Sequence, residues 1–137
     1  MIPTVKQFSL AYGGAGVFLL LADLLWLSVA VGPLYRAALG DRMRPDVALT
    51  PAALFYLLYV LGIVVFVVLP AFTSGKYMTA AVLGALFGLV AYATYDLTNL
   101  STLRDWPLSL AVIDIAWGVV ITTGASLCGL FVLRKFA

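Results

Sequence analysis

The chain has 137 residues, of which 64% are hydrophobic and only 10% are charged, and its mean hydropathy is +1.12. Soluble domains carry about 25% charged residues, so this composition is typical of an integral membrane protein. The net charge of +2 comes without a run of basic residues, and we therefore expect no nucleic-acid partner.

The chain contains few types of residue that could act as catalysts or metal ligands. It contains no histidine and no glutamate, and its single cysteine, Cys128, lies in an apolar segment where packing is its expected role. No internal disulfide can form. A cluster of aspartates could bind a hard cation, but without histidine, glutamate or paired cysteines the sequence favours neither a metal site nor a cofactor. Acid–base chemistry would have to come from six aspartates.

Four apolar segments reach the length of about 20 residues that a membrane-spanning helix requires. The first stops at Gly32-Pro33 and is followed by a polar loop over residues 35–50, whereas the other connections are short. Its length and its internal Asp23 favour a retained helix over a signal peptide. Short connections place consecutive helices antiparallel, so the sequence predicts one all-α domain over residues 1–137, an up-down bundle of four membrane helices. The predicted helices are about 8–31, 51–72, 77–100 and 107–133.

The sidedness of this bundle stays open. Four basic residues fall at each end, so the excess of basic residues that marks cytoplasmic loops is missing. One end carries Lys6, Lys76, Arg134 and Lys135; the other carries Arg36, Arg42, Arg44 and Arg104.

Antiparallel threading brings polar residues of all four helices to one level of the membrane. Counted from the end that carries the polar loop, Asp23, Asp96 and Asp114 lie roughly 6–12 Å deep at 1.5 Å per residue. Tyr56 and Tyr59 of the second helix fall in the same layer, whereas the opposite half of the bundle is almost entirely aliphatic.

A short pattern occurs twice at this level. Asp23 and Trp26 are three residues apart, as are Asp114 and Trp117, so each pair shares a helix face. The two elements could line one pocket from opposite helices, or they could be chance matches, since the pattern is short.

The third helix adds a polar face above a stripe of small residues. Gly84, Gly88, Tyr92, Tyr95 and Asn99 lie within about 80° of one another at 100° per residue. The two glycines would let a neighbouring helix approach closely. We therefore predict a pocket at the polar level, open to one side.

Three aspartates at one depth require an explanation. Each charged aspartate in a membrane helix costs about 2.5–3.5 kcal/mol on the insertion scale, whereas polar contacts between membrane helices return only about 0.6–2 kcal/mol. Asp23, Asp96 and Asp114 are therefore our catalytic candidates, although a structural role as links between helices stays open. They would not all ionise together, and a shared proton could serve acid–base chemistry. Arg104 either offsets one charge or binds lipid phosphate at the interface.

Residues 95–107 and 114–118 carry the pattern Y-D-x-T-N…W-P…D-x-x-W-G. With it, the chain resembles an uncharacterised family of small bacterial four-helix inner-membrane proteins, a domain of unknown function. The resemblance spans essentially the whole chain. It implies a four-helix, multi-pass topology in the bacterial inner (cytoplasmic) membrane, and it implies no settled activity.

Three functions fit these observations. The first is binding or modification of an amphipathic membrane lipid, with its headgroup in the polar layer. The second is a small proton-coupled transporter, which would require a homodimer because four helices are too few for most alternating-access folds. The third is a non-catalytic subunit or assembly factor for a membrane-enzyme partner. The candidate ligand-binding residues are Asn99, Arg104, Tyr92, Tyr95, Trp26, Trp117, Tyr56 and Tyr59.

Overall fold

The computed structural model describes residues 2–137, and helices account for nearly all of them. The predicted all-α fold with four membrane-length helices is confirmed, and no strand occurs within the described residues. The helices that follow α1 begin and end within a few residues of the predicted positions. The four helices are α1 (Val5–Arg42), α2 (Leu49–Ser74), α3 (Tyr77–Thr102) and α4 (Leu108–Phe136).

The prediction that α1 stops at Gly32-Pro33 is wrong. The helix passes through a π-helical segment, Val31–Arg36, and continues in short helical turns to Arg42. Proline lacks an N–H group, and its ring conflicts with the carbonyl four residues earlier. A wider π turn relieves that conflict without ending the helix. The predicted polar loop over residues 35–50 is accordingly reduced to residues 43–48.

A second π-helical segment occurs in α2. It spans Val64–Val68, ends two residues before Pro70 and includes the residue four positions before that proline. The segment also packs against each of the other three helices, and Val64, Val67 and Val68 are almost completely buried. The middle of α2 is therefore its firmest attachment to the bundle.

The helix α4 lies at the centre of the packing, with α3 and α1 against it. A Cβ atom added to Gly88 would lie 2.5 Å from the carbonyl oxygen of Gly118, and one added to Gly84 would lie 2.8 Å from Oγ of Ser126. Distances this short leave no room for a side chain. The prediction that the two glycines allow close approach of a neighbouring helix is confirmed, and that neighbour is α4.

A clamp joins the end of α1 to the turn between α3 and α4. The Arg42 guanidinium donates to the carbonyl oxygens of Arg104 at 3.3 Å and of Asp105 at 3.2 Å. Asp105 has a φ of 59°, a left-handed conformation that aspartate tolerates better than most residues. The clamp brings the extension of α1 to the end of the bundle where Asp96 and Asp114 lie.

Candidate functional site

An open cleft of about 470 Å³ lies at the end of the bundle where Asp114 lies, and all four helices line it. The volume falls within the range of small-molecule sites, roughly 300–1,000 Å³. We call it the polar cleft. Its lining residues are Asp23, Trp26, Leu27 and Tyr35 of α1, Phe55 and Tyr59 of α2, Ala91, Tyr92 and Tyr95 of α3, and Asp114 and Trp117 of α4.

Asp23 holds three helices together at the edge of the cleft. The Tyr56 hydroxyl of α2 donates to its Oδ2, and the Trp117 indole Nε1 of α4 donates to its Oδ1 at 3.2 Å. Both donors are neutral groups. A carboxylate has about four acceptor positions, so Asp23 keeps capacity for further partners on the cleft side.

Asp114 is bound by a second set of neutral donors. It is only 8% exposed, and the Tyr35 hydroxyl donates to its Oδ1 at 2.5 Å. The Trp26 indole Nε1 in turn donates to the Tyr35 oxygen at 3.2 Å. Trp26 and Trp117 stack with ring centroids 4.6 Å apart and planes at 9°. The two Asp-x-x-Trp elements therefore face each other. Trp117 donates directly to Asp23 of the other element, whereas Trp26 is linked to Asp114 through the Tyr35 hydroxyl.

Asp96 differs from the other two aspartates. It is completely buried, and neither of its carboxylate oxygens has a hydrogen-bond partner within the described chain. Asp114 and the Trp106 indole lie close enough to interact with it electrostatically, yet neither forms a hydrogen bond of ordinary geometry, and Trp106 Nε1 is itself unpartnered. Asp96 does not line the cleft, so a bound molecule would meet it only through Asp114.

Aromatic rings form the wall between α2 and α3. Tyr59 is buried, stacks with Phe55 at 5.3 Å and with Phe87 at 5.4 Å, and shares a hydrogen bond of 2.7 Å with Thr122 Oγ1. Tyr92 contacts Tyr59 edge to face at 6.1 Å. The Tyr92 hydroxyl has no hydrogen-bond partner within residues 2–137, which leaves it available to a molecule in the cleft.

The remaining predicted site residues lie outside the cleft lining. Asn99 is half-buried next to Tyr95 on α3. Arg104 is exposed in the turn after α3, where its carbonyl oxygen accepts from Arg42. The structure therefore brings together the two Asp-x-x-Trp elements and the tyrosines. The Asn99 amide and the Arg104 guanidinium, which were predicted to bind the ligand, lie outside the polar cleft.

A second hollow adjoins the polar cleft. It has a volume of about 400 Å³, runs between α2 and α3, and shares Phe55, Tyr59 and Ala91 with the cleft. We call it the apolar groove. Leu58 and Phe66 on its wall are exposed on the outside of the bundle, so the groove opens toward the surrounding bilayer. The rest of its lining is Leu61, Gly62, Val65 and Phe87.

The sequence profile of a family described as "Predicted membrane protein (DUF2177)" matches residues 8–131. The chain belongs to this family. Family membership confirms an integral membrane protein, and every residue that lines the polar cleft lies within the matched region. No curated protein and no solved structure matches the chain.

Sequence reasoning missed Tyr35 and Phe55. An α-helix turns 100° per residue, so nine residues after Trp26 it would place Tyr35 about half a turn away from the cleft. The π turn reduces the rotation per residue and brings Tyr35 toward Asp114. Phe55 could have been found, because it stands four residues before Tyr59 and therefore shares its helix face.

Proposed function

We propose that this protein binds an amphipathic lipid in a bacterial inner membrane, with the headgroup in the polar cleft and an acyl chain in the apolar groove. The observation that carries the proposal is that the two hollows adjoin and share Phe55, Tyr59 and Ala91 as lining residues. An aromatic compartment with two carboxylates, next to a compartment without charged groups, matches the headgroup and the acyl chain of a membrane lipid.

The direction of the opening supports a ligand from the bilayer. The groove lies between α2 and α3, and exposed apolar side chains such as Leu58 and Phe66 form its outer wall. A lipid could enter sideways without taking its chain through water. A water-soluble metabolite would gain nothing from this apolar extension.

Within the cleft, the two lining aspartates are the groups that would contact a headgroup. Asp114 is held by Tyr35 and Asp23 by Tyr56, so both carboxylates are fixed in position before a ligand arrives. Prior positioning of this kind reduces the entropy lost on binding. If the protein also modifies its lipid, Asp114 is the aspartate placed to exchange a proton with it, and Asp96 would act through Asp114.

A second candidate, the non-catalytic subunit or assembly factor, is favoured by the contacts of Asp23. Its bonds to Tyr56 and Trp117 join α1 to α2 and α4, which is what a purely structural aspartate would do. In that case, substitutions at the cleft would lower stability without changing which lipids accompany the protein.

The test is to fill the junction between cleft and groove. In Ala91→Trp, an indole would occupy the passage where the two hollows meet, whereas Val90→Trp places the same side chain on the exposed surface of α3. Each protein would be purified in mild detergent, and native mass spectrometry would count and identify the lipids that remain bound.

We expect the parent chain and Val90→Trp to retain one lipid species above the background of bulk phospholipid, and Ala91→Trp to lose it while keeping its helical content. Retention of the same lipid at the same occupancy by Ala91→Trp would overturn the proposal and favour the structural candidate.

A further inference from the structure

The polar cleft has an unusual charge balance. Two carboxylates line it, yet no lysine or arginine does, and both carboxylates accept hydrogen bonds only from tyrosine and tryptophan. Arg104, the basic residue that the sequence placed near the site, is exposed in the turn instead. Within the described residues, the negative charge of Asp23 and Asp114 is therefore not offset by a basic side chain in the cleft.

The other feature of the cleft is its aromatic content. Seven of its eleven lining residues are tryptophan, tyrosine or phenylalanine. The face of an aromatic ring carries partial negative charge and attracts cations, most strongly when water is excluded. Rings and carboxylates together are the chemistry with which proteins recognise quaternary and primary ammonium groups.

We infer that the headgroup held in the polar cleft carries an ammonium group, an inference that rests on the lipid-binding function proposed above. The ammonium would lie between the carboxylates of Asp23 and Asp114 and would contact the surrounding rings. The free hydroxyl of Tyr92 would donate to an oxygen of the same headgroup. A headgroup whose only charge is negative would instead meet two carboxylates with no nearby cation, and repulsion would exclude it.

The experiment compares lipids that share two oleoyl chains and differ only in the headgroup. The probes are a trimethylammonium-propane lipid, phosphatidylethanolamine, phosphatidylglycerol and a glucosyl diacylglycerol. Equimolar mixtures would be added to the delipidated protein in mild detergent, and native mass spectrometry would measure the occupancy of each lipid. The trimethylammonium lipid has no phosphate, so it isolates the contribution of the cation.

We expect both ammonium lipids to bind about tenfold more tightly than phosphatidylglycerol and the glucolipid, a ratio within reach of a desolvated cation–π site. Asp114→Asn and Asp23→Asn should each reduce this preference. Asp114→Glu should preserve it, since it keeps the charge. Asp46→Asn, a change at an exposed position in the connection between α1 and α2, is the matched control and should have no effect.

Two results separate the failure of this inference from the failure of the proposed function. If all four lipids bind equally and Ala91→Trp abolishes their binding, the lipid site stands and the ammonium preference is wrong. Preference for phosphatidylglycerol or for the glucolipid would also overturn the inference. If every lipid has the same occupancy in the parent chain and in Ala91→Trp, both proposals are wrong.

Discussion

Two neighbouring levels of the bundle are built in opposite ways. In the middle of α3 and α4, the two helices meet backbone to backbone at Gly88 and Gly118, with Thr122 and Ser126 completely buried between them. At the next level, toward the end where Asp96 and Asp114 lie, aromatic rings and aspartates line the polar cleft. Close packing therefore fixes the helices directly beside the cleft, and this allows the cleft itself to remain open. Because the bilayer gives no hydrophobic drive for helix association, contacts of this kind must supply the stability.

The largest effect is expected where the backbones of α3 and α4 meet directly. Gly88→Ala would place a methyl group 2.5 Å from the Gly118 carbonyl oxygen and 2.8 Å from Thr122, so α3 and α4 must separate. We expect the free energy of unfolding to fall by about 2–3 kcal/mol, as for other overpacked interiors. Unfolding by dodecyl sulfate in mild detergent, followed by circular dichroism, measures the change.

The matched control is Gly13→Ala, because a Cβ atom at Gly13 would have no neighbour within 4 Å. This substitution should leave the free energy of unfolding unchanged or raise it slightly, since alanine favours helix more than glycine does. Equal effects of the two substitutions would contradict the close contact of α3 with α4.

Smaller changes in the free energy of unfolding, of opposite sign, are expected for substitutions of Asp23 and Asp96. Asp23→Leu leaves the Tyr56 hydroxyl and the Trp117 indole without their acceptor, and we expect it to lower the free energy of unfolding by about 1–2 kcal/mol. Asp96→Leu removes a buried carboxyl group that has no hydrogen-bond partner, so it should leave stability unchanged or raise it by up to about 1 kcal/mol.

The same unfolding assay measures both variants side by side. A loss of stability in Asp96→Leu as large as that in Asp23→Leu would show that Asp96 has a stabilising partner in the folded protein.

The smallest loss of stability concerns the extension of α1. Tyr35→Phe removes the hydroxyl that joins Trp26 to Asp114, and we expect a loss of about 1 kcal/mol in the free energy of unfolding. Tyr77→Phe is the control, because its ring stacks with Arg134 and that contact does not require the hydroxyl. The emission of Trp26 and Trp117 should shift in Tyr35→Phe alone; no shift would place Tyr35 outside the cleft.

The depth and facing of the polar residues could be predicted from the sequence, because both follow from residue spacing along regular helices. Helix rise placed Asp23 and Asp114 at one depth, and helix rotation placed Trp26 and Trp117 on the same faces as these aspartates. The structure then joined the two elements through the stacked tryptophans. Membrane-helix length and composition were likewise sufficient for the four-helix fold.

The rest of the site depends on local geometry that regular helices do not contain. Tyr35 reaches Asp114 only because a π turn carries α1 past Pro33, and an assumption of regular helices hid this contact. The turn after α3 holds Arg104 at the surface through its backbone, so its charge never enters the cleft. The apolar groove depends on contacts between α2 and α3, such as the stacking of Tyr59 on Phe87, which no spacing along a single helix contains.

The most direct test of a lipid seated in the cleft and groove is photo-crosslinking in a bilayer. A lipid with a diazirine on its acyl chain, diluted in the host membrane, would be activated by light, and peptide mass spectrometry would locate the adducts. We predict adducts enriched on Tyr59 and Phe87, groove residues that are less exposed to bulk lipid, with lower labelling of exposed positions such as Leu24 and Val120. Equal labelling of groove and outer surface would contradict the account.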